Sequence, residues 1–513
     1  MSFLMGIDVG TTGTRAVIVR PDGHVIGAAT GDHQPMRMEK PGWAEQDPED
    51  WWRATVQAVR AVIGETGLKA SEIAAIGLSG QMHGVVLLDD ASAVLRPALI
   101  WCDQRSQPQC DWITSQVGAE RLRKLALNPA LTGFSAPKLL WVRDHEPAVY
   151  ERAAHCLLPK DFVRLRLTGE FATDVSDASG TLLLDVAKRN WSEEILAALD
   201  IDRALLPAVH ESPEVTGRVT AAVSLLTGLK AGTPVAAGAG DQAASAVGNG
   251  VVSPGLTSAT LGTSGVIFAY TDKPKLDPKG RIHTFCHAVP GKWHVMGVTQ
   301  GAGLSLRWFR DELGAAETWY AKQVGADPYE LILREAEKAP PGSAGLLFLP
   351  YLMGERTPHL DPQARGLWFG LTAAHSRAHL IRSIVEGVAF SLRDSLEIFA
   401  ELKIPVREIR ASGGGSRSVL WRQIQADVYG REVVSLREAE GSAFGAALLA
   451  GVSCRIYHSV AEAAREAIQV RDHLSPDANN AKLYSNQYEV YRKLYPAVRE
   501  LAHELGAVSG AHN

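Results

Sequence analysis

Short apolar runs and helical periodicities alternate along this chain. LMGID (4–8), AAIGLSG (74–80), PALIW (97–101) and PVAAGAG (234–240) are nearly continuous apolar stretches bounded by turn residues, the pattern of short buried strands. WWRATVQAVRAVIG (51–64) and AHLIRSIVEGVAFSLRDSLEIFAEL (378–402) repeat apolar residues every three or four positions and read as amphipathic helices. Ahead of the first, Asp47-Pro48-Glu49-Asp50 supplies an N-cap, a proline at the first helical position and an acidic first turn. The mixture predicts α/β layers.

The opening is more specific. LMGID is followed by the turn DVGTTGT, the run RAVIV, the turn PDG and the run HVIGAAT, so the glycine loop leads into a hairpin. A dinucleotide or P-loop unit needs a helix after its glycine loop, and neither fits. LTSATLGTSGVIFAYT (256–271) repeats strand, Gly/Thr turn, strand. Two such openings predict two related halves, residues 1–250 and 251–513, divided at the turn residues NGVVSPG.

With 46% hydrophobic residues the chain can bury a full core, which excludes disorder as its main state. Lys+Arg 52 against Asp+Glu 57 leaves a net charge of −5, no excess with which to neutralise a nucleic-acid backbone. Five cysteines without C-x-x-C spacing argue against a disulfide framework or a cysteine zinc site. The first residues lack a cationic flank and reach Asp8 quickly, unlike a signal peptide, and no apolar run is long enough to span a bilayer. A soluble, cytoplasmic protein with no nucleic-acid and no membrane partner is expected.

Several segments could carry chemistry. Asp8 ends a buried strand and is followed by two glycines and three hydroxyls, Thr11, Thr12 and Thr14, suited to an anion nest with a carboxylate for Mg²⁺. The same residues also make an ordinary polar hairpin turn. Gly262 and Thr263 form the second such turn. Asp241, after PVAAGAG, sits where open α/β sheets bind ligands; it would equally serve as a helix N-cap. The run Ser412–Ser416 between a strand-like and a helical segment lets backbone approach a ring or a phosphate, or is a flexible connection. Gln81-Met82-His83 and Trp101-Cys102-Asp103-Gln104-Arg105 are polar or aromatic groups after strands. GSAFGAALLAG (441–451) has small-residue spacing for close helix packing. P-loop, zincin and serine-hydrolase signatures are absent.

Taken together, the chain resembles the FGGY carbohydrate kinases over residues 6–451. GFSAPKLLWVRDH (133–145), with Lys138 and Trp141, and GLWFGLTAAHSRAHLIRSIVE (366–386) fit the two family signatures. SGQMHG, WCDQRS, GDQAASAVGNG, PYLMGERTPHLDPQARG and SGGGSRSVLWRQIQAD read like the members that act on D-xylulose. Met82-His83 stands where glycerol-specific members carry Arg-Glu. The resemblance implies two actin-like ATPase (ribonuclease H-like) domains with a cleft between them. It implies ATP-dependent phosphorylation of a ketopentose, D-xylulose ahead of other pentuloses or polyols, with ATP and Mg²⁺ as cofactors. Asp241 would be the base; Met82, His83, Asp103 and Gln242 would lie near the sugar and Asp8 near the metal. Thr11, Thr12, Gly262 and Thr263 would surround the phosphates, and Gly413 and Gly414 the adenosine. A homodimer is compatible with the family.

Overall fold

The computed structural model describes residues 2–438 and 440–508. In the first half, β1 (Phe3–Val9), β2 (Gly13–Val19) and β3 (Val25–Asp32) form an antiparallel meander, and α1 (Pro48–Thr66) leads to β4 (Ile73–Gly80). Helix α2 (Ser135–His145) lies in a long insertion before β5 (Val215–Arg218), β6 (Pro234–Ala236) and β7 (Ala239–Gly240), and α3 (Asp241–Gly248) follows directly. In the second half come β8 (Gly255–Leu261), β9 (Gly265–Thr271), β10 (His283–Cys286), β11 (Trp293–Thr299) and α4 (Gly303–Leu313). Then follow α5 (Arg377–Glu401), β12 (Val406–Ser412), α6 (Val419–Tyr429), β13 (Glu432–Leu436), α7 (Gly441–Ser453) and β14 (Val470–Leu474).

The two sheets have one plan. The first is ordered β5-β6-β4-β1-β2-β3, with β7 also on β4; the second is β10-β11-β9-β8-β12-β13-β14. In each, a Gly/Thr hairpin supplies two antiparallel central strands, β1 with β2 and β8 with β9. The hairpin's first strand then pairs in parallel with a strand reached through a helical crossover, β4 or β12. The internal repeat expected from the two G-T turns is therefore present at the level of strand order and direction.

Strand β1 is buried on both faces, which is why it reads as one apolar run. Phe3, Met5, Ile7 and Val9 pack with Trp51, Val59 and Val62 of α1. Leu4 lies on the other face with Ala447 and Leu448 of α7. A Cβ on Gly6 would stand 1.8 Å from the Ala443 carbonyl oxygen, and one on Gly77 would stand 1.9 Å from that of Ala446. Only bare backbone lets α7 lie this close to the sheet. Asp8 is the next residue in the Leu4–Gly6 series, so strand alternation sends its side chain to the α7 side.

Helix α7 belongs to the second half of the chain yet lies on the first sheet and crosses α3. There a Cβ on Gly445 would meet the Ala244 carbonyl oxygen at 1.8 Å. The small residues of 441–451 thus have the packing role their spacing suggested. A second apolar contact joins the halves elsewhere: Leu139, Leu183 and Ile195 of the insertion share a core with Phe268, Phe285 and Met296.

Candidate functional site

The two aspartates singled out at strand ends come together. Asp8 pairs with Ser79 across β1 and β4, and Ala239 pairs with the same Ser79 from the other side. Two residues beyond Ala239, Asp241 begins α3 as its first helical residue; Gly240 takes the cap position. The Ser79 hydroxyl donates to Asp8 Oδ1 at 2.7 Å, and the Gln242 amide donates to Asp241 Oδ1 at 2.7 Å. Burial raises the pKa of Asp8. Burial, and then the charge of Asp8, push Asp241 up to about 7. The Ser442 hydroxyl at the start of α7 donates to the Asp241 carbonyl at 3.0 Å, and Arg15, opposite Asp8 in the hairpin, forks onto Glu440.

No cation is among the groups that shift either carboxylate. Two adjacent carboxylates in that setting suit a divalent cation. Among the described residues no cluster of three or more His, Cys, Asp or Glu forms a complete metal cage. A carboxylate pair that needs further oxygens from a phosphate chain is the donor set Mg²⁺ favours.

The first G-T turn closes through Gly10 N–H to the Gly13 carbonyl at 3.0 Å. Its flanks are fixed by side chains from elsewhere. Gln46 Nε2 donates to the Thr11 carbonyl at 2.7 Å, Trp101 Nε1 donates to the Thr11 hydroxyl at 3.0 Å, and that hydroxyl donates to Gln81 at 3.3 Å. Thr12 is exposed. Thr14 corrects the expectation of three phosphate-facing hydroxyls: it is fully buried and bonded to His33 Nε2 at 2.9 Å.

In the second half, the carbonyls of Gly262 and Thr263 accept from Gly303 and Leu304 at 2.8 and 3.0 Å, tying the second turn to the start of α4. Gly262 and Thr263 are themselves exposed. Gly413 adopts φ 78°, and a Cβ there would stand 2.5 Å from the Leu261 carbonyl oxygen. The glycine run therefore lies flat on the end of β8. It edges a cavity of about 710 Å³ lined by Gly262, Thr263, Arg307, Glu330, Gly414 and Val419. Its size suits a nucleoside.

On the other side of Asp241, Met82 and His83 follow β4. Met82 packs on Gly240, and His83 Nδ1 donates to the Gly180 carbonyl at 2.6 Å. Burial pushes His83 down to about 3, so the ring is neutral and Nε2 is left as an acceptor. Gln242 sits beside Asp241 on α3.

Asp103 is a correction. It is fully buried, its oxygens taken by Arg105 and by the Ala44 amide at 2.7 Å, with Arg105 stacked on Trp43 at 3.6 Å. The residue that this segment delivers is Trp101, 42% exposed beside the first turn. The family resemblance set Asp103 near the sugar, but 97–101 contributes only the two-residue strand Ala98–Leu99, outside both main sheets.

Residues 3–248 match the N-terminal domain of the FGGY family of carbohydrate kinases, and residues 257–454 match its C-terminal domain. The chain belongs to this family. It is 39% identical over 501 residues to the xylulose kinase of Bacillus subtilis (strain 168), covering 98% of each chain. It is 40% identical over 492 residues to that of Escherichia coli (strain K12), covering 96% of this chain and 98% of the other. The crystal structure of a ligand-bound xylulose kinase from Lactobacillus acidophilus matches with a TM-score of 0.91 at 26% identity, covering 98% of this chain and all of that one.

This FGGY protein is thus a carbohydrate kinase of two actin-like halves, and its family implies ATP and a sugar as substrates. Among the described residues no helix is long and apolar enough to cross a membrane. The signature lysine, Lys138, lies under the His83 loop: its ammonium donates to the carbonyls of Gly133, Phe134 and His83, the last two at 3.0 and 3.4 Å. Arg356 lies within the family-like run PYLMGERTPHLDPQARG but was not singled out there; its charge acts on this FGGY kinase's His83 from the second half. No periodic pattern marks its loop, and its placement depends on pairing with β11.

Proposed function

We propose that this kinase transfers the γ-phosphoryl group of ATP to the primary hydroxyl of a ketopentose, D-xylulose, giving D-xylulose 5-phosphate and ADP. The observation that carries the reading is Asp241, raised to about 7 between a second carboxylate and the Met82–His83 loop. A general base works best with a pKa near the operating pH. The names of the relatives, xylulose kinases at 39% and 40% identity over nearly the full length, support the choice of sugar.

In this reading Asp241 accepts the proton of the sugar hydroxyl as its oxygen forms a bond to the γ-phosphorus. The bond from that phosphorus to the bridging oxygen breaks, and ADP leaves. Met82, His83 and Gln242 orient the sugar, and Asp103 acts only through Arg105 and the Trp101 segment. Thr11, Thr12, Gly262 and Thr263 border the phosphates, and Gly413 and Gly414 the adenosine. Mg²⁺ would be held on the Asp8 side, where it would neutralise phosphate charge. Residues 1–250 then form the sugar-side domain with the base, and 251–513 the nucleotide-side domain. A cytoplasmic enzyme and a homodimer complete the reading.

The test is ADP release measured over a panel of sugars. Turnover highest with D-xylulose, ahead of D-ribulose, L-ribulose and glycerol, is expected. ADP release that ignores the sugar, or that is highest with glycerol, would sink the proposal.

A further inference from the structure

Beyond the base and its neighbours, one charged group enters the sugar side without a protein partner. Arg356 follows Glu355 in the loop between Tyr351 and the cis Thr357–Pro358 bond. The loop is rigidly held. Glu355 is buried and accepts from the Thr299 hydroxyl at 2.7 Å and from the amides of Gln300 and Arg356 at 2.9 and 2.7 Å. Thr357 pairs with Val298 on β11 through its amide, at 3.0 Å, and through its hydroxyl, at 3.1 Å. The Arg356 side chain between these anchors is half-buried and has no hydrogen bond or ion pair with any described residue. Its N–H donors are thus left to water or to the oxygens of a ligand.

Its surroundings say what that ligand offers. The rings of His83 and Phe134 come from the first half, with centroids 5.0 Å apart, and those of His283 and Phe285 come from β10, 5.8 Å apart. His83 and Phe285 meet across the halves at 6.1 Å. Thr357, next to Arg356, is bonded to Val298 on β11, two residues from the Met296 that pairs with His283, so Arg356 stands near this aromatic wall, and its charge is felt at His83, His283 and Lys138. His283 Nδ1 bonds to Asn128 Oδ1 at 3.0 Å. The Asn128 amide nitrogen is committed to the Ala126 and Thr284 carbonyls, so Oδ1 is the acceptor and His283 Nδ1 the donor. Like His83, His283 is left with Nε2 as an acceptor. The wall therefore presents two acceptors for hydroxyl protons and one guanidinium that only donates.

A polyol oxygen can satisfy either kind of group, but a ketone oxygen can only accept. From this match, and building on the proposed ketose reading, we infer that Arg356 is a substrate-specificity residue whose guanidinium donates to the carbonyl oxygen, and to an adjacent hydroxyl oxygen, of the open-chain ketose. The two imidazole acceptors take hydroxyl protons along the same chain, and the far primary hydroxyl is left for Asp241. Contribution of Arg356 by the second half would also make sugar binding depend on both halves.

The experiment compares wild type, Arg356→Gln and Arg356→Lys on D-xylulose and on the matching pentitol, xylitol, in the ADP-release assay, with thermal midpoints for each protein. Loss of a hydrogen bond to a charged donor corresponds to about 10–100-fold in affinity. The expected result is a rise of about that size in KM for the ketose with Arg356→Gln. A smaller change is expected for xylitol, with the KM for ATP unmoved. Arg356→Lys, which keeps the charge but lacks the fork, should recover only part of the loss. Ketose kinetics unchanged in Arg356→Gln, or an equal loss on both sugars in a protein with an unchanged thermal midpoint, overturns the inference. Should Arg356→Gln unfold, the same two criteria apply to Arg356→Lys. Wild type that fails to turn over D-xylulose sinks the proposed function instead, so the two failures are distinguishable.

Discussion

Asp8 and Asp241 are neighbours across a single strand: β4 holds Ser79 between them, and the negative charge of Asp8 is second only to burial in raising Asp241 to about 7. A base must lose its proton to work. We therefore expect kcat/KM for the sugar to fall as pH drops below about 7, with a slope of one. In the residual activity of Asp8→Asn the acid limb should move to lower pH, because the neighbouring negative charge is gone. A limb that stays in place would show that burial alone sets the Asp241 proton.

Removing the base itself has two separable effects. Asp241→Asn keeps the shape and should lower kcat by roughly 10²–10⁴-fold while ATP still binds. Near-normal turnover would take Asp241 out of the base role.

The second effect is on stability. The folded-state pKa of Asp241 is raised from 3.8 to about 7, so the folded protein holds this proton more tightly than the unfolded chain. The stability it contributes is fully present below pH 3.8 and is lost as pH rises through about 7. Asp241→Asn has no proton to lose. Its thermal midpoint relative to wild type should therefore be higher at pH 8 than at pH 5, by about 2–4 °C for each kcal/mol recovered. An offset that is the same at both pH values would contradict the shift.

Asp103 gives an expectation of another kind. Its carboxylate neutralises Arg105, whose side chain is only 2% exposed. Asp103→Ala would leave that guanidinium with Glu45 alone, and breaking a buried pair this way costs about 3–5 kcal/mol. We expect a clear loss in denaturant midpoint, with kcat per folded molecule largely retained. A specific collapse of sugar binding in a stable protein would return Asp103 to the sugar.

The contrast between Asp241 and Asp103 shows what could be read from the chain. Both are acidic residues just past an apolar run. For Asp8 and Asp241 that cue led to two residues that come together, because β1 and β7 both pair with β4 of the first main sheet at Ser79. For Asp103 the run was a two-residue edge pairing, and the turn after it folds inward onto Trp43 and Arg105. The paired hairpins were legible because a strand-turn-strand signature is local. Arg356, inside the family-like run PYLMGERTPHLDPQARG, was not marked as a site residue, because its position is set by the Val298–Thr357 pairing between segments 59 residues apart.

The close crossing of α3 and α7 offers a last check, through two glycines that sit inside helices. At Gly445 a Cβ would stand 1.8 Å from the backbone oxygen of Ala244, an atom that cannot swing aside. Gly445→Ala must push the two helices apart, and overpacking of this kind costs about 1–3 kcal/mol or more. Gly64, in α1, has nothing within 4 Å of its Cβ position and is exposed. There the same substitution removes only the backbone freedom of glycine in a helix, a gain of about 0.5–1 kcal/mol. Thermal unfolding of the two alanine variants should move in opposite directions. Because α7 also carries Ser442 against the Asp241 carbonyl, Gly445→Ala should lower kcat as well, whereas Gly64→Ala should leave it alone. A Gly445→Ala protein as stable and as active as wild type would show that α7 does not hold the base in place.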